Sequence, residues 1–122
     1  MTGPTSTQKG REGEELAVRV LSERGYVIVE RNYRARRGEI DIIAEEGGDL
    51  VFVEVRCFQD QSVVSPLESV SELKKKRLMA AARHYIARST SEPNIRFDVV
   101  TITLHAPQPP EITLIRDIFP SL

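Results

Sequence analysis

Tryptophan is absent from the 122-residue chain, and there is one cysteine, Cys57. A single thiol excludes an internal disulfide framework and fits a reducing compartment. Cys57, His84 and His105 are scattered without ligand spacing, which excludes the usual zinc motifs. Aromatic residues make up only 6% of the chain, too few for a stacking platform that would favour single-stranded nucleic acid. No run approaches the roughly 18 apolar residues of a membrane span. The first ten residues, MTGPTSTQKG, are polar and lack the apolar stretch of a secretory signal, so a cytoplasmic location without a membrane partner is expected. The net charge of −1 gives no bulk attraction to polyanions, and any such binding must come from local basic patches.

What remains is an ordinary globular composition, 40% hydrophobic and 29% charged, at a length that supports one domain with its own core. Residues 1–9 read as a flexible tail and residues 10–122 as the domain. Leu16, Ala17, Val20 and Leu21 form an apolar stripe at helical spacing, predicting a helix from about Glu12 to Arg24 that ends at Gly25. Strands are expected over Tyr26–Tyr33, Glu39–Glu45 and Leu50–Cys57, the last two joined by a Gly47-Gly48 hairpin. A second helix starts between Pro66 and Glu72 and runs to about Arg88. Two consecutive capping signatures, Ser65–Glu68 and Ser69–Glu72, compete for its start. Its stripe contains Val70, Leu73, Arg77, Leu78, Ala81, Ala82, Tyr85 and Ile86. Two further strands, Arg96–Leu104 and Ile112–Ile118, flank a turn holding Pro107, Pro109 and Pro110, which blunts an edge. The order α-β-β-β-α-β-β predicts a mixed central sheet with helices on its faces.

With Gly47 and Gly48 at the tip, paired hairpin residues sum to 95, so Asp41 faces Glu54. Cross-strand neighbours have Cβ atoms about 4.5–5.5 Å apart on one side of a sheet. The strand from Leu50 to Cys57 is apolar on both faces and reads as central and buried. Two carboxylates there repel each other and lose hydration, a cost that a shared proton, a basic partner or a bound cation offsets. Arg56, two residues beyond Glu54, points the same way and is the expected basic partner. A structural Asp-Glu-Arg network and a functional acid pair both satisfy this pattern. Glu14 lies two helical turns before Leu21 on the same face, so it is the member of the Glu14-Glu15 pair expected to look towards the sheet; an acidic residue at a helix N-terminus also has a purely structural use.

Gly13-Glu14, Gly25-Tyr26, Arg31-Asn32-Tyr33, Gly38-Glu39-Ile40-Asp41 and Val51-Phe52-Val53-Glu54-Val55-Arg56, extended by Ser69-Val70-Ser71 with Lys74 and by Arg96-Phe97-Asp98-Val99-Val100, resemble the YraN family of predicted endonucleases. The likeness covers about residues 10–118. That family is similar to the PD-(D/E)xK nucleases and, distantly, to Holliday junction resolvases. The resemblance implies a restriction-endonuclease-like αβββαβ core. It places Asp41 and Glu54 at the motif acids, Glu14 at the helix glutamate of the resolvase-like branch, and Arg56 where the motif has lysine. Glu14, Asp41 and Glu54 would then hold Mg²⁺ or Mn²⁺, hard ions suited to carboxylate oxygens. Arg56, always charged, would stabilise charge on the phosphate.

Two basic clusters flank this set. Arg31, Arg34, Arg36 and Arg37 precede the Asp41 strand, and Lys74, Lys75, Lys76 and Arg77 sit early in the second helix. Of these, Arg34, Arg36, Arg37, Lys74, Lys75 and Arg77 are the expected nucleic-acid contacts; such runs are also commonly solvated faces. The expected function is hydrolysis of nucleic acid, DNA foremost. The rivals are a nucleic-acid-binding module that does not cut and a protein-interaction domain with a structural ion network. A homodimer is implied only by the resolvase likeness, since cutting a two-fold junction uses two sites.

Overall fold

The computed structural model describes residues 6–59, 70–105 and 107–119. Its elements are α1 (Ser6–Glu23), β1 (Val27–Ala35), β2 (Gly38–Glu46), β3 (Asp49–Gln59), α2 (Glu72–Ala87), β4 (Asn94–His105) and β5 (Gln108–Ile115). One sheet holds all five strands in the order β1-β2-β3-β4-β5. β3 and β4 run parallel, with α2 in the crossover between them, and the other neighbours are antiparallel. This is the expected mixed α/β arrangement, matching a restriction-endonuclease-like core.

The two helices cover opposite faces. Against α1 lie Ile42, Ala44, Val51, Val53, Val100 and Ile102, packed on Ala17 and Leu21. Against α2 lie Tyr33, Ile40, Ile43, Phe52 and Phe97, packed on Leu78, Ala81 and Ala82. β3 is central, and its side chains from Val51 to Glu54 are all buried, which is why it reads as apolar on both faces. Gly13 lets α1 approach closely: a Cβ there would stand 3.3 Å from the Cβ and Sγ of Cys57. Cys57 thus packs against α1, as its place on an apolar strand face implies.

Several boundaries differ from expectation. α1 begins at Ser6, so residues 6–9 are helix rather than tail. Extending a formed helix adds a hydrogen bond per residue without a new nucleation cost. Residues 1–5 and the Ser65–Glu68 signature lie outside the described residues. α2 is capped by Ser71, whose hydroxyl accepts the Lys74 N–H at 3.2 Å; Ser69 lies outside the described residues. Leu73, expected on the packed stripe, is exposed because it falls in the first turn, before the helix meets the sheet. β5 starts four residues early and contains Pro109 and Pro110. As an edge strand it tolerates their missing N–H groups, and its pairing steps irregularly from Thr103–Glu111 to His105–Gln108.

The hairpin end of the sheet carries a polar network with no obvious sequence signal. Asp98 is fully buried and takes a two-pronged contact from Arg96 (Nε–Oδ1 and Nη2–Oδ2, both 3.0 Å), the Tyr26 hydroxyl at 2.7 Å and the Asp117 N–H at 2.9 Å. Glu46, Asp49 and Arg116 complete it. The hydrogen bonds from Arg96 to Asp98 raise the guanidinium's pKa further, and burial together with Asp98 raises that of the Tyr26 hydroxyl. Removing one partner of such a pair leaves a buried charge uncompensated. Asp98→Ala is therefore expected to cost about 3–5 kcal/mol in urea unfolding, whereas Leu73→Ala, at an exposed site, should stay within about 0.5 kcal/mol. Equal effects at the two positions would show that the network does not anchor this end of the fold.

Candidate functional site

The hairpin register is the expected one: Ile42 pairs with Val53, Ile43 with Phe52 and Ala44 with Val51, each summing to 95. At Asp41, however, the strand departs from simple alternation. Ile40 and Ile43 pack on the α2 side although they are three residues apart. On the neighbouring strand, Asn32 adopts a left-handed conformation, φ 53°, which asparagine tolerates better than most residues. Asp41 accordingly does not simply face Glu54 across a regular ladder. Its Oδ2 accepts the backbone N–H of Val55 at 2.8 Å.

The two acids nevertheless sense each other. Burial, and then the charge of Glu54, push the Asp41 carboxyl up to about 7, with a further contribution from Glu14; the Val55 N–H and Lys74 act in the opposite direction. Glu54 itself is 7% exposed. Its partner is not Arg56 but Lys74, whose Nζ lies 3.2 Å from Oε1. Arg56 finds no acceptor for its Nε among the described residues, and its guanidinium lies 5.7 Å from the Phe58 ring centre. The expected Asp-Glu-Arg network is thus an Asp-Glu-Lys cluster. Lysine reaches the acid because Ser71 caps α2 and sets Lys74 in its first turn, a placement that depends on helix docking and is invisible in sequence spacing.

Glu14 looks towards the sheet, as its spacing from Leu21 requires. Its side chain is 13% exposed against 63% for Glu15. Its Oε1 accepts from Arg31 Nε and Asn32 Nδ2, both at 3.0 Å. Asn32, which sequence reasoning passed over, therefore ties α1 to β1 beside Asp41. Glu14, Asn32, Arg34, Asp41 and Arg56 share one open cavity of about 680 Å³. A slightly larger one, about 720 Å³, surrounds Gly47 and Gly48; of its acids Glu45, Glu46 and Asp49, the last two are paired with Arg96. Among the described residues, no three or more His, Cys, Asp or Glu side chains form a ready-made metal cluster.

The basic clusters divide. Arg31 is committed to Glu14 and Glu15, and Lys75 lies 5.0 Å from the Phe119 ring centre. Arg34, Arg36, Arg37 and Arg77 line one hollow of about 520 Å³.

These features define a mixed α/β domain with a coupled acid pair at its centre and a cavity opening beside it. The model of the uncharacterised protein family UPF0102 matches residues 13–102. A UPF0102 protein of Chlorobium chlorochromatii is 44% identical over 107 residues, covering 87% of this chain and 83% of its own. One from Rhodococcus opacus is 43% identical over 112 residues, covering 90% and 94%, and one from Moorella thermoacetica is 43% identical over 101 residues, covering 82% and 84%. The chain belongs to the UPF0102 family, and the matched region contains Glu14, Asp41, Glu54, Arg56 and Lys74.

The perturbed Asp41 has a consequence for stability. Its carboxyl titrates near 3.8 when unfolded and about 7 when folded, so the folded state binds the proton more tightly. Stability from this group is fully present below about pH 4 and is lost as pH rises to about 7. Asp41→Asn should flatten that decline, leaving the variant at least as stable as the original at pH 8 in chelator. Urea unfolding across pH 4–8 measures this; a variant much less stable than the original at pH 8 would reverse the assignment of cost.

Proposed function

We propose that the protein is a metal-dependent phosphodiesterase of endonuclease type that acts on nucleic acid, DNA foremost, in line with the YraN-like motifs. The observation that carries this reading is the Asp41–Glu54 pair at the centre of the sheet: Glu54 is buried, Asp41 is half-buried on the wall of an open cavity, and the Asp41 carboxyl is pushed up to about 7. Repulsion between buried acids persists in a fold when something of opposite charge uses the place.

The donor chemistry fits a hard dication. Asp41 and Glu54 offer carboxylate oxygens whose mutual repulsion a cation would relieve, and Glu14, held by Arg31 and Asn32, lines the cavity wall with Asp41. Bound there, Mg²⁺ or Mn²⁺ would acidify water and neutralise phosphate oxygens. The chain's own groups do the rest. The Val55 N–H fixes the Asp41 carboxylate, and Asn32 and Arg31 fix Glu14. The Lys74 ammonium balances Glu54; with a cation held by the acids it would be available to stabilise charge on the substrate phosphate. Arg56 supplies a permanent positive charge at the cavity wall. Water adds to phosphorus, the P–O ester bond breaks, and the leaving oxygen takes a proton.

A binding module that does not cut is the second reading. The existing Lys74–Glu54 ion pair favours it, as does the lack of a three-donor cluster among the described residues. Among those residues no helix is long and apolar enough to cross a membrane. A two-fold dimer is part of the proposal only for two-fold substrates, and light scattering on a cutting-competent preparation tests it.

With Mg²⁺ or Mn²⁺ and a panel of duplex, flap, junction and single-stranded DNA, the protein should cut at least one substrate, and Asp41→Asn and Glu54→Gln should abolish cutting. Lys74→Ala should lower cleavage more than tenfold, the scale of about 1.4 kcal/mol, and Arg56→Lys should keep or raise it. Metal should raise the melting temperature of the original protein and barely move Asp41→Asn. Binding without cleavage in every metal would select the second reading.

A further inference from the structure

The two-residue turn between β1 and β2 is Arg36-Arg37, followed at once by Gly38. Gly38 is where α2 touches the sheet's end. A Cβ at this position would stand 1.9 Å from the Arg77 carbonyl oxygen and 2.6 Å from its carbon. Backbone cannot yield by that much, so glycine is required for the helix to seat. Seating it places Arg77 with Arg34, Arg36 and Arg37 around one hollow of about 520 Å³. Residues forty positions apart in sequence thereby become one positive surface.

The only acid lining this hollow is Glu39. Its contact with Arg34 is long, 3.8 Å, and both side chains are largely exposed, an ion pair of little worth in water. Among the described residues, Arg36, Arg37 and Arg77 have no ion-pair partner. Clustered guanidinium groups without carboxylates present forked donors that match phosphate oxygens. Arg34 also lines the cavity that holds Glu14 and Asp41, so the two hollows adjoin at one side chain. A ligand that fills both carries phosphates in series.

We infer that this arginine hollow binds a backbone phosphate of the nucleic-acid strand being cut, flanking the phosphate held at Asp41 and Glu54. The inference rests on the nucleic-acid reading above and adds the place and direction of the bound strand: along Arg34, towards the β1–β2 turn, with Arg77 contributed by α2. Lys75 and Arg31, basic in sequence but otherwise engaged, fall outside it.

The test is binding of a fluorescein-labelled DNA duplex, read by anisotropy in chelator so that no cleavage occurs. Arg36→Ala/Arg77→Ala should weaken binding at least tenfold at about 0.1 M salt, the condition at which screening still leaves phosphate contacts strong. It should reduce the log–log salt slope by about 0.9, the value for one lost phosphate contact. Arg19→Ala/Arg24→Ala makes the same charge change at exposed positions on α1 and just after it and should shift affinity less than twofold. Arg36→Lys/Arg77→Lys should recover part of the loss. Unaltered melting temperatures check that each variant is folded. Equal losses in both alanine pairs, or none in either, would overturn the hollow. If the original protein still cuts DNA in metal, the nuclease reading survives that failure. If it neither binds nor cuts any duplex, both fall together. Inorganic phosphate should compete only weakly; competition as effective as DNA per phosphate would make the hollow a free-phosphate site and overturn the strand assignment.

Discussion

Two carboxylates share the apolar middle of this sheet, and the surrounding structure is arranged around the cost of keeping them there. Asp41 and Glu54 sit on neighbouring strands, Glu54 buried and Asp41 half-buried, so water screens their charges only in part. The fold answers with a backbone N–H for Asp41 and an ammonium from α2 for Glu54. Neither answer is complete, since the Asp41 carboxyl stays near 7. The distortion of β2 at Asp41, the left-handed Asn32 beside it and the anchoring of Glu14 all lie within this same region.

The other end of the sheet shows what a fully answered charge looks like. Asp98 is more deeply buried than Asp41, yet it meets a forked arginine, a hydroxyl and a backbone N–H at once. That network has the features of a structural tie: it joins Tyr26 just before β1, the β2–β3 hairpin, β4 and the segment after β5. The contrast between the two ends separates a charge held for stability from a charge held at a cost.

Close helix approach converts this sheet into a cleft. Gly13 brings α1 against Cys57, and Gly38 brings α2 against the β1–β2 turn. The first carries Glu14 to the sheet, and the second carries Lys74 to Glu54 and Arg77 to the arginine hollow. Each glycine acts by the side chain it lacks, so that two helices on opposite faces can bring charged groups to the strands without a void between the layers.

Much of this was legible in one dimension. Helical spacing of Leu16, Ala17 and Leu21 located α1 and oriented Glu14. The Gly47-Gly48 turn set the hairpin register, and the doubly apolar run from Val51 to Val55 marked the central strand. These are local properties: period, turn chemistry and burial act within a few residues. The partner of Glu54 was not legible. Arg56 is two positions away and the obvious candidate, but Lys74, twenty positions away, makes the contact, because the cap at Ser71 and the docking of α2 decide which cation arrives. Asn32 on Glu14, Arg96 on Asp98 and Arg77 beside Arg36 are of the same kind. Sequence by itself determined which residues form the elements and which acids share the sheet's centre. Tertiary structure alone decided how those acids are neutralised and where free positive charge collects, since distances between elements follow from packing and are encoded in no spacing along the chain.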